Sequence, residues 1–332
     1  MGLPFGKSKK VLNAVFAASV TTALMGLAHP PQARAASFPS RPITIIVGSE
    51  AGSSPDVLAR LVASDMGAAL HQSIIVENKP GATGAIGAGY VASARPDGYT
   101  LLMGTVSNIA LSPLSRTVHY KSGDFTVVSP VASVPLVLVT AYGANVHDLA
   151  GIKALAAKQP QGMAYSSPGI GGPQHLAGLL LQKALGLNLL HVPYKSGGAA
   201  VLAVASGETQ LTFAGVSAAM PFIHSKKVAP VFVTATARLQ SLPQVPTAKE
   251  FGMPDLLVDN WHGLFAPHGL PEPVRQVLAA AVHKALENPK VQEKFTALGA
   301  AVDLRSPDDY VGFVSAETKR WAQVVHENHI SF

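Results

Sequence analysis

Two stretches of this chain share one design: a short strand runs into a Gly/Ser-rich turn that opens a helix. The first is Ile43-Thr44-Ile45-Ile46-Val47 followed by Gly48-Ser49-Glu50-Ala51-Gly52-Ser53-Ser54-Pro55-Asp56. The second is Ala164-Tyr165-Ser166-Ser167 followed by Pro168-Gly169-Ile170-Gly171-Gly172-Pro173-Gln174-His175. The first N–H groups of a helix have no intrahelical partner. Bared by glycine and supplemented by hydroxyls, they form a cradle for carboxylate or phosphate. Two such cradles far apart in the chain predict two lobes closing on one small anion. Each turn taken alone also reads as an ordinary capped helix.

Strand and helix signals alternate along the rest of the chain, the pattern of α/β layers with mostly parallel strands. Ser54 as N-cap and Pro55 at the first helical position predict a helix to about Leu70. Ser73–Glu77 reads as a strand, Asn78–Gly84 as a turn-rich loop, and the small residues after it as a helix to about Ala94. The tight turn Arg95-Pro96-Asp97-Gly98 feeds a strand over Tyr99–Met103, and Gly104–Asn108 reads as a further glycine loop. Later strands are predicted at Thr126–Val134, Leu136–Thr140, Leu189–Val192, Thr209–Phe213 and Val228–Thr234. Helices follow the second Gly/Ser turn to about Leu185 and end near Ala205, while the proline-rich stretch from Leu242 to Pro254 reads as irregular. Beyond Pro271, Val274, Val277, Leu278, Ala281, Val282 and Leu286 recur at helical spacing, and Val314–Val325 repeats that pattern.

At 332 residues the chain is long enough for two cores. Residues 1–35 read as a secretory leader: Lys7, Lys9 and Lys10 precede an apolar run from Val11 to Leu27, and Ala33-Arg34-Ala35 offers a cleavage site. Its removal leaves 21 basic side chains against 19 acidic ones, so the apparent basicity belongs partly to the leader. No basic run is interleaved with aromatics, which argues against a nucleic-acid partner. The absence of cysteine excludes disulfides, thiolate metal sites, a cysteine nucleophile and a lipidated N-terminal cysteine. The expected product is a free, soluble protein of a bacterial periplasm.

The chemistry-bearing candidates lie on three loops. On the first, Gly52 lets the backbone approach a ligand and Ser53 offers a hydroxyl, while Asp56 pairs with Arg60 at i+4 and also reads as a loop-fixing group. On the second Gly/Ser turn, Gly169, Gly171 and Gly172 form a nest of N–H groups beside Ser167, with His175 just inside the helix. His175 equally reads as a histidine bonded to its own loop. The third loop carries Thr105, Ser107 and Asn108. Enzyme signatures fail: the chain holds no G-x-S-x-G elbow, no Walker A motif and no H-E-x-x-H. A hydrolase built around Ser167 and His175 is the remote alternative, without a visible acid partner. No cofactor and no metal are expected.

Further motifs run in order from residue 38 to the C-terminus. They are Phe38-Pro39-Ser40-Arg41-Pro42-Ile43, Val76-Glu77-Asn78-Lys79-Pro80-Gly81-Ala82, Pro96-Asp97-Gly98-Tyr99-Thr100-Leu101-Leu102 and Tyr165-Ser166-Ser167. His191-Val192-Pro193-Tyr194-Lys195, Val245-Pro246-Thr247 with Glu250, and Trp261-His262-Gly263-Leu264-Phe265-Ala266-Pro267 follow. In these the chain resembles the Bug/TctC family of extracytoplasmic solute-binding proteins, associated with tripartite tricarboxylate transporters. The resemblance implies a two-lobe α/β fold of the periplasmic-binding-protein type (type II). Two crossover strands, near Val134–Thr140 and Leu257–Gly263, would join the lobes, with a cleft between. Lobe 1 would span 36–136 and 260–332, and lobe 2 137–259.

The resemblance further implies a small organic acid as ligand: a di- or tricarboxylate, an acidic amino acid or an aromatic acid. Its site would comprise Glu50, Ala51, Gly52, Ser53 and Asp56, then Val106, Ser107 and Asn108, then Ser167, Gly169, Gly171, Gly172 and His175, with Ala214 at a strand end. The partner would be a membrane permease or, alternatively, a sensor-kinase ectodomain, and the protein a monomer. Two departures fall in this pocket: Gly48, Glu50, Gly52 and Ser53 replace the usual Pro-x-x-x-Gly-Gly, and Gly172 stands where serine is common. A Glu50 carboxylate about 4 Å from a bound carboxylate would oppose it by about 4 kcal/mol at an effective dielectric near 20. Glu50 therefore points to solvent, or it selects a ligand other than a plain dianion.

Overall fold

The computed structural model describes residues 1–3 and 38–332 except 116, 328–329 and 331–332. From residue 4 on, the expected leader lies outside the described residues. The chain divides into a short unit, Met1–Ser40, and a main unit, Arg41–Phe332, to which all that follows refers.

The first half-pattern begins with β1 (Ile43–Val47), α1 (Ser54–Leu70), β2 (Ile74–Asn78), α2 (Ala85–Ala92), β3 (Thr100–Thr105) and β4 (Phe125–Ser133). The chain then continues through β5 (Leu136–Ala141), α3 (Leu149–Ala157), β6 (Met163–Ser167), α4 (Pro173–Leu185) and β7 (Leu189–Pro193). After these come α5 (Gly197–Ala205), β8 (Leu211–Gly215), α6 (Val216–His224) and β9 (Val228–Val233). It closes with β10 (His262–Pro267), α7 (Glu272–Glu287), α8 (Pro289–Ala297), β11 (Ala301–Val302) and α9 (Pro307–Glu327).

These strands form two sheets, ordered β11-β4-β10-β3-β1-β2 and β7-β6-β8-β5-β9. In each, a middle strand pairs in parallel with two neighbours: β1 with β2 and β3, and β6 with β7 and β8. Beside each trio runs an antiparallel strand that has arrived from the other sheet, β10 in the first and β5 in the second. The chain thus passes between the sheets twice, at 134–136 and at 258–262. The passages are tied by a bridge between Pro135 and Asp259, by Val134 N donating to Asp259 Oδ1 at 3.0 Å, and by Asn260 N donating to Val134 O at 3.2 Å.

β10 and β11 carry no strand signal of their own. His262-Gly263-Leu264-Phe265-Ala266-Pro267 holds glycine and proline, which weaken a strand, yet every residue of it is buried. Packing explains this: Gly263 pairs with Gly104 of β3, and a Cβ on Gly104 would lie 2.3 Å from the Phe265 ring. A Cβ on Gly263 would meet Tyr310 of α9 at 2.6 Å. The glycines are seats for aromatic rings, and Trp261, Phe265 and Tyr310 fill the space. The predicted glycine loop at 104–108 is likewise replaced. β3 continues through Thr105, and a π-helical turn spans Val106–Leu111.

Candidate functional site

Both Gly/Ser turns leave the carboxyl end of the middle strand of a parallel trio, the position where open α/β sheets bind ligands. The turns are built differently. In the first, a Cβ on Gly48 would lie 2.8 Å from the backbone of Gly84, so the loop at 48 and the turn at 81–84 touch main chain to main chain. Asn78 at the end of β2 reaches across, its Nδ2 donating to Ser49 O and to Asp56 Oδ1 at 2.9 Å each. Asp56 also accepts from Gly52 N at 2.8 Å and from Arg60 Nε at 3.1 Å. Burial opposes the charged form of Asp56, but the bonds from Arg60, Gly52 and Asn78 prevail, and its pKa is lowered.

Asp56 is therefore a buried brace for the loop. Glu50 and Ala51 are exposed. Gly52, also exposed, takes a φ of 79°, which favours glycine. Ser53, one residue before the predicted position, is the N-cap of α1, and its side chain makes no cap hydrogen bond. Its hydroxyl lies 2.6 Å from that of Ser49 instead.

The middle loop is closed on itself. Asn108 Oδ1 accepts from Thr105 N at 2.8 Å while Thr105 Oγ1 accepts from Asn108 N at 3.4 Å, a reciprocal cap that buries both side chains. Val106 is fully buried and donates its N–H to Trp261 O at 3.3 Å. Ser107 is left half-buried at this loop.

On the second Gly/Ser turn the side chains consume two of the candidate donors. Gly169 N donates to Ser167 Oγ at 3.2 Å, and Gly171 N donates to His175 Nδ1 at 3.2 Å. Gly172, the N-cap of α4, has no side chain to satisfy the first turn, and Pro173 follows it. Ser167 also meets a residue of β7. Register pairs Tyr165 with His191, and Ser167, two residues on, faces the same side. His191 Nε2 then lies 2.6 Å from Ser167 Oγ. Its ring stands 4.1 Å from that of His175, with Tyr165 packed against both. Burial, and next the neighbouring His191, push His175 down to about 4, while burial lowers His191. Ala214 is packed in the core with Val137, Val201 and Val233.

The two sets of loops meet. Thr83 Oγ1 donates to Ile170 O at 3.2 Å, and a Cβ on Gly169 or Gly172 would lie 3.8 Å from the Thr83 side chain. Asn108 lies on the other side of Gly84, its Nδ2 3.2 Å from where a Cβ would stand. Gly84 thus links the first and middle loops, and Thr83 links both to the second Gly/Ser turn. Sequence reasoning missed Thr83, Asn78 and His191 as site residues. Thr83 and Asn78 fall within the turn-rich loop and at its edge, whereas His191 needs the β6–β7 register to be found. A groove of about 1520 Å³ lies elsewhere, along the crossovers, lined by Pro135, Thr234, Asp259, Arg305 and Arg320 among others.

Residues 58–330 match the model of the family described as "Tripartite tricarboxylate transporter family receptor". The chain belongs to this family. It is 36% identical over 295 residues to an Agrobacterium vitis protein named for the TAR-I ttuE-ttuC' intergenic region, covering 88% of this chain and 85% of that one. Rpa4515 of R. palustris, solved with adipate, is 31% identical with a TM-score of 0.82, covering 89% of this chain and 99% of that one. MatC (Rpa3494) of Rhodopseudomonas palustris, solved with malate, is 32% identical with a TM-score of 0.79, covering 87% and 100%. The fold is that of these solute-binding proteins, and the family is one of binding proteins rather than enzymes.

Proposed function

We propose that this protein works in the periplasm, where it captures a small organic carboxylate between two lobes and delivers it to a permease of the tripartite tricarboxylate type. Lobe 1 comprises 36–136 with 260–332, and lobe 2 comprises 137–259. The observation that carries this reading is the pairing of two helix N-termini without side-chain caps. Those of α1 and α4 lie at equivalent strand ends in the two sheets, and the loops around them meet at Thr83 and Ile170. N–H groups at such ends hold anions without a full positive charge. Arg60 is tied to Asp56 and Asn78, so it braces the first loop instead of clamping a ligand. The malate and adipate bound by the two R. palustris relatives support a di-acid as ligand.

The geometry argues against serine chemistry. Ser167 is fully buried, and although its Oγ lies 2.6 Å from His191 Nε2, it also lies 2.9 Å from Gly169 O and accepts from Gly169 N. Among the described residues no carboxylate bonds the His191 ring to complete a triad. A thermal-shift screen of malate, adipate, citrate, glutamate and benzoate tests the reading. A ligand at one hundred times its dissociation constant adds about 2.7 kcal/mol of stability. A flat response to every acid, confirmed by calorimetry, would remove the carboxylate reading.

A further inference from the structure

The second Gly/Ser turn offers its donors conditionally. Of its glycine N–H groups, that of Gly169 is held by a hydroxyl and that of Gly171 by a neutral imidazole nitrogen. Because His175 Nδ1 accepts from Gly171, the proton of neutral His175 sits on Nε2. At His191 the three contacts of Ser167 Oγ are satisfied together when Nε2 carries a hydrogen and donates to it. The two rings lie 4.1 Å apart, too close for both to be charged.

Among the described residues, the groups in contact with this pair are uncharged: Tyr165 from β6, Ser167 at its end, and Gly171 N, which bonds His175. The cation nearest in sequence, Lys195, is exposed beyond the end of β7. A carboxylate entering here would therefore meet dipoles and a pair of neutral rings. The compensating charge available beneath the turn is a proton on one of the two imidazoles.

Resting on the carboxylate-binding reading above, we infer that His191 and His175 are positioning residues of the second loop, and that the ligand carboxylate enters together with one proton, taken up by this pair. On His191 the proton completes the imidazolium, with Nε2–H on Ser167 Oγ and the Ser167 O–H on Gly169 O, which rigidifies the turn. A His175 imidazolium would instead release the Gly171 N–H from Nδ1 to the ligand. The single charge opposes the ligand anion in either position, and it explains how the turn manages without a lysine or arginine. It also distinguishes acids from isosteric amides by more than hydrogen bonding, since an amide brings no charge to stabilise the proton.

Isothermal titration calorimetry with malate and adipate, in buffers of different ionisation enthalpy, counts the protons directly. The expected result is proton uptake that is fractional near pH 7.5 and grows toward one as the pH falls to 6. Affinity should rise up to about tenfold per unit as the pH falls toward 6, the limit for one linked proton. His175→Asn keeps an acceptor for Gly171 N and His191→Gln a donor for Ser167, but neither side chain titrates. Each should fold, bind malate more weakly than the parent protein near pH 6 and take up fewer protons, and the double variant should show a flat pH profile with no uptake. Imidazole nitrogen shifts add a readout that a purely structural role would not move. They should report neutral rings in the free protein and one imidazolium with malate. Malate or adipate bound with no proton uptake and a flat pH profile overturns this inference while leaving the carboxylate reading intact. No binding of any tested acid overturns both.

Discussion

Asp56 shows how a single carboxylate shapes a ligand loop without touching the ligand. It is buried and accepts from Gly52 N, Arg60 and Asn78. Replacing it by alanine strands Gly52 N and Asn78 Nδ2, and should cost about 2–3 kcal/mol of stability in denaturant titrations. Its folded-state pKa is lowered, so its contribution is intact above the unfolded value near 3.9. That contribution is lost as the pH falls below that range. The acid side of the stability profile should therefore flatten in Asp56→Asn. Glu50 is exposed, and water with salt screens charges there over about 8 Å. Glu50→Gln should leave malate affinity within about threefold, because an exposed charge interacts weakly. A hundredfold gain in calorimetry would place its carboxylate against the ligand. Gly178 is a packing residue, since a Cβ there would stand 2.1 Å from the Tyr165 ring. Gly178→Ala should destabilise by about 1–3 kcal/mol through overpacking, and disturb the rings of His175 and His191 that Tyr165 supports.

At the scale of elements, the crossovers hold the polar groups with most at stake. Thr234 Oγ1 accepts from Leu136 N at 3.0 Å and donates to Val258 O at 2.6 Å, joining one passage to the other. Thr234→Val keeps the shape but leaves both partners unpaired in the interior. It should lower stability by about 2 kcal/mol, a change that thermal denaturation would detect. Asp259, which bonds Val134 N, is pushed up to about 6 by burial first, then by Glu317 and Asp303. Its folded-state pKa exceeds the unfolded value near 3.9, so the stabilising protonated form is fully present below that value. This stability is lost as the pH rises through about 6. Asp259 also lines the groove, where water moderates the effect to about 1–2 kcal/mol. Asp259→Asn should gain that amount at pH 8 and almost nothing at pH 4, measured by urea titration at both.

For the whole molecule, the contact of Thr83 with Ile170 joins the loops of one sheet to those of the other across 87 residues of chain. An exposed hydrogen bond of this kind contributes about 0.5–1 kcal/mol, enough to bias a hinge equilibrium two- to fivefold. Thr83→Ala should shift ligand-free protein toward an open form in a fluorescence distance measurement between the lobes, and saturating malate should restore the closed distance. An unchanged distribution would mean that this contact does not latch the halves.

The sequence by itself determined the local units: strand, turn and helix at 43–56 and at 164–175, the Asp56–Arg60 pair, and the amphipathic helices near the C-terminus. These depend on neighbours within a few residues, whose geometry the backbone dictates. The motif order from residue 38 onward carried the family and the two-crossover plan. Only the tertiary structure decided which donors remain for a ligand. Asn108 spends its Oδ1 and backbone N–H on Thr105, and Ala214 faces a core. His191 reaches Ser167 across 24 residues because a parallel crossover sets the register of β7 on β6. β10 survives its glycine and proline because Phe265 and Tyr310 need the space those small positions leave. Local preference is a matter of dihedrals and caps, whereas long-range pairing and ring packing are enforced by burial, which no short window of residues contains.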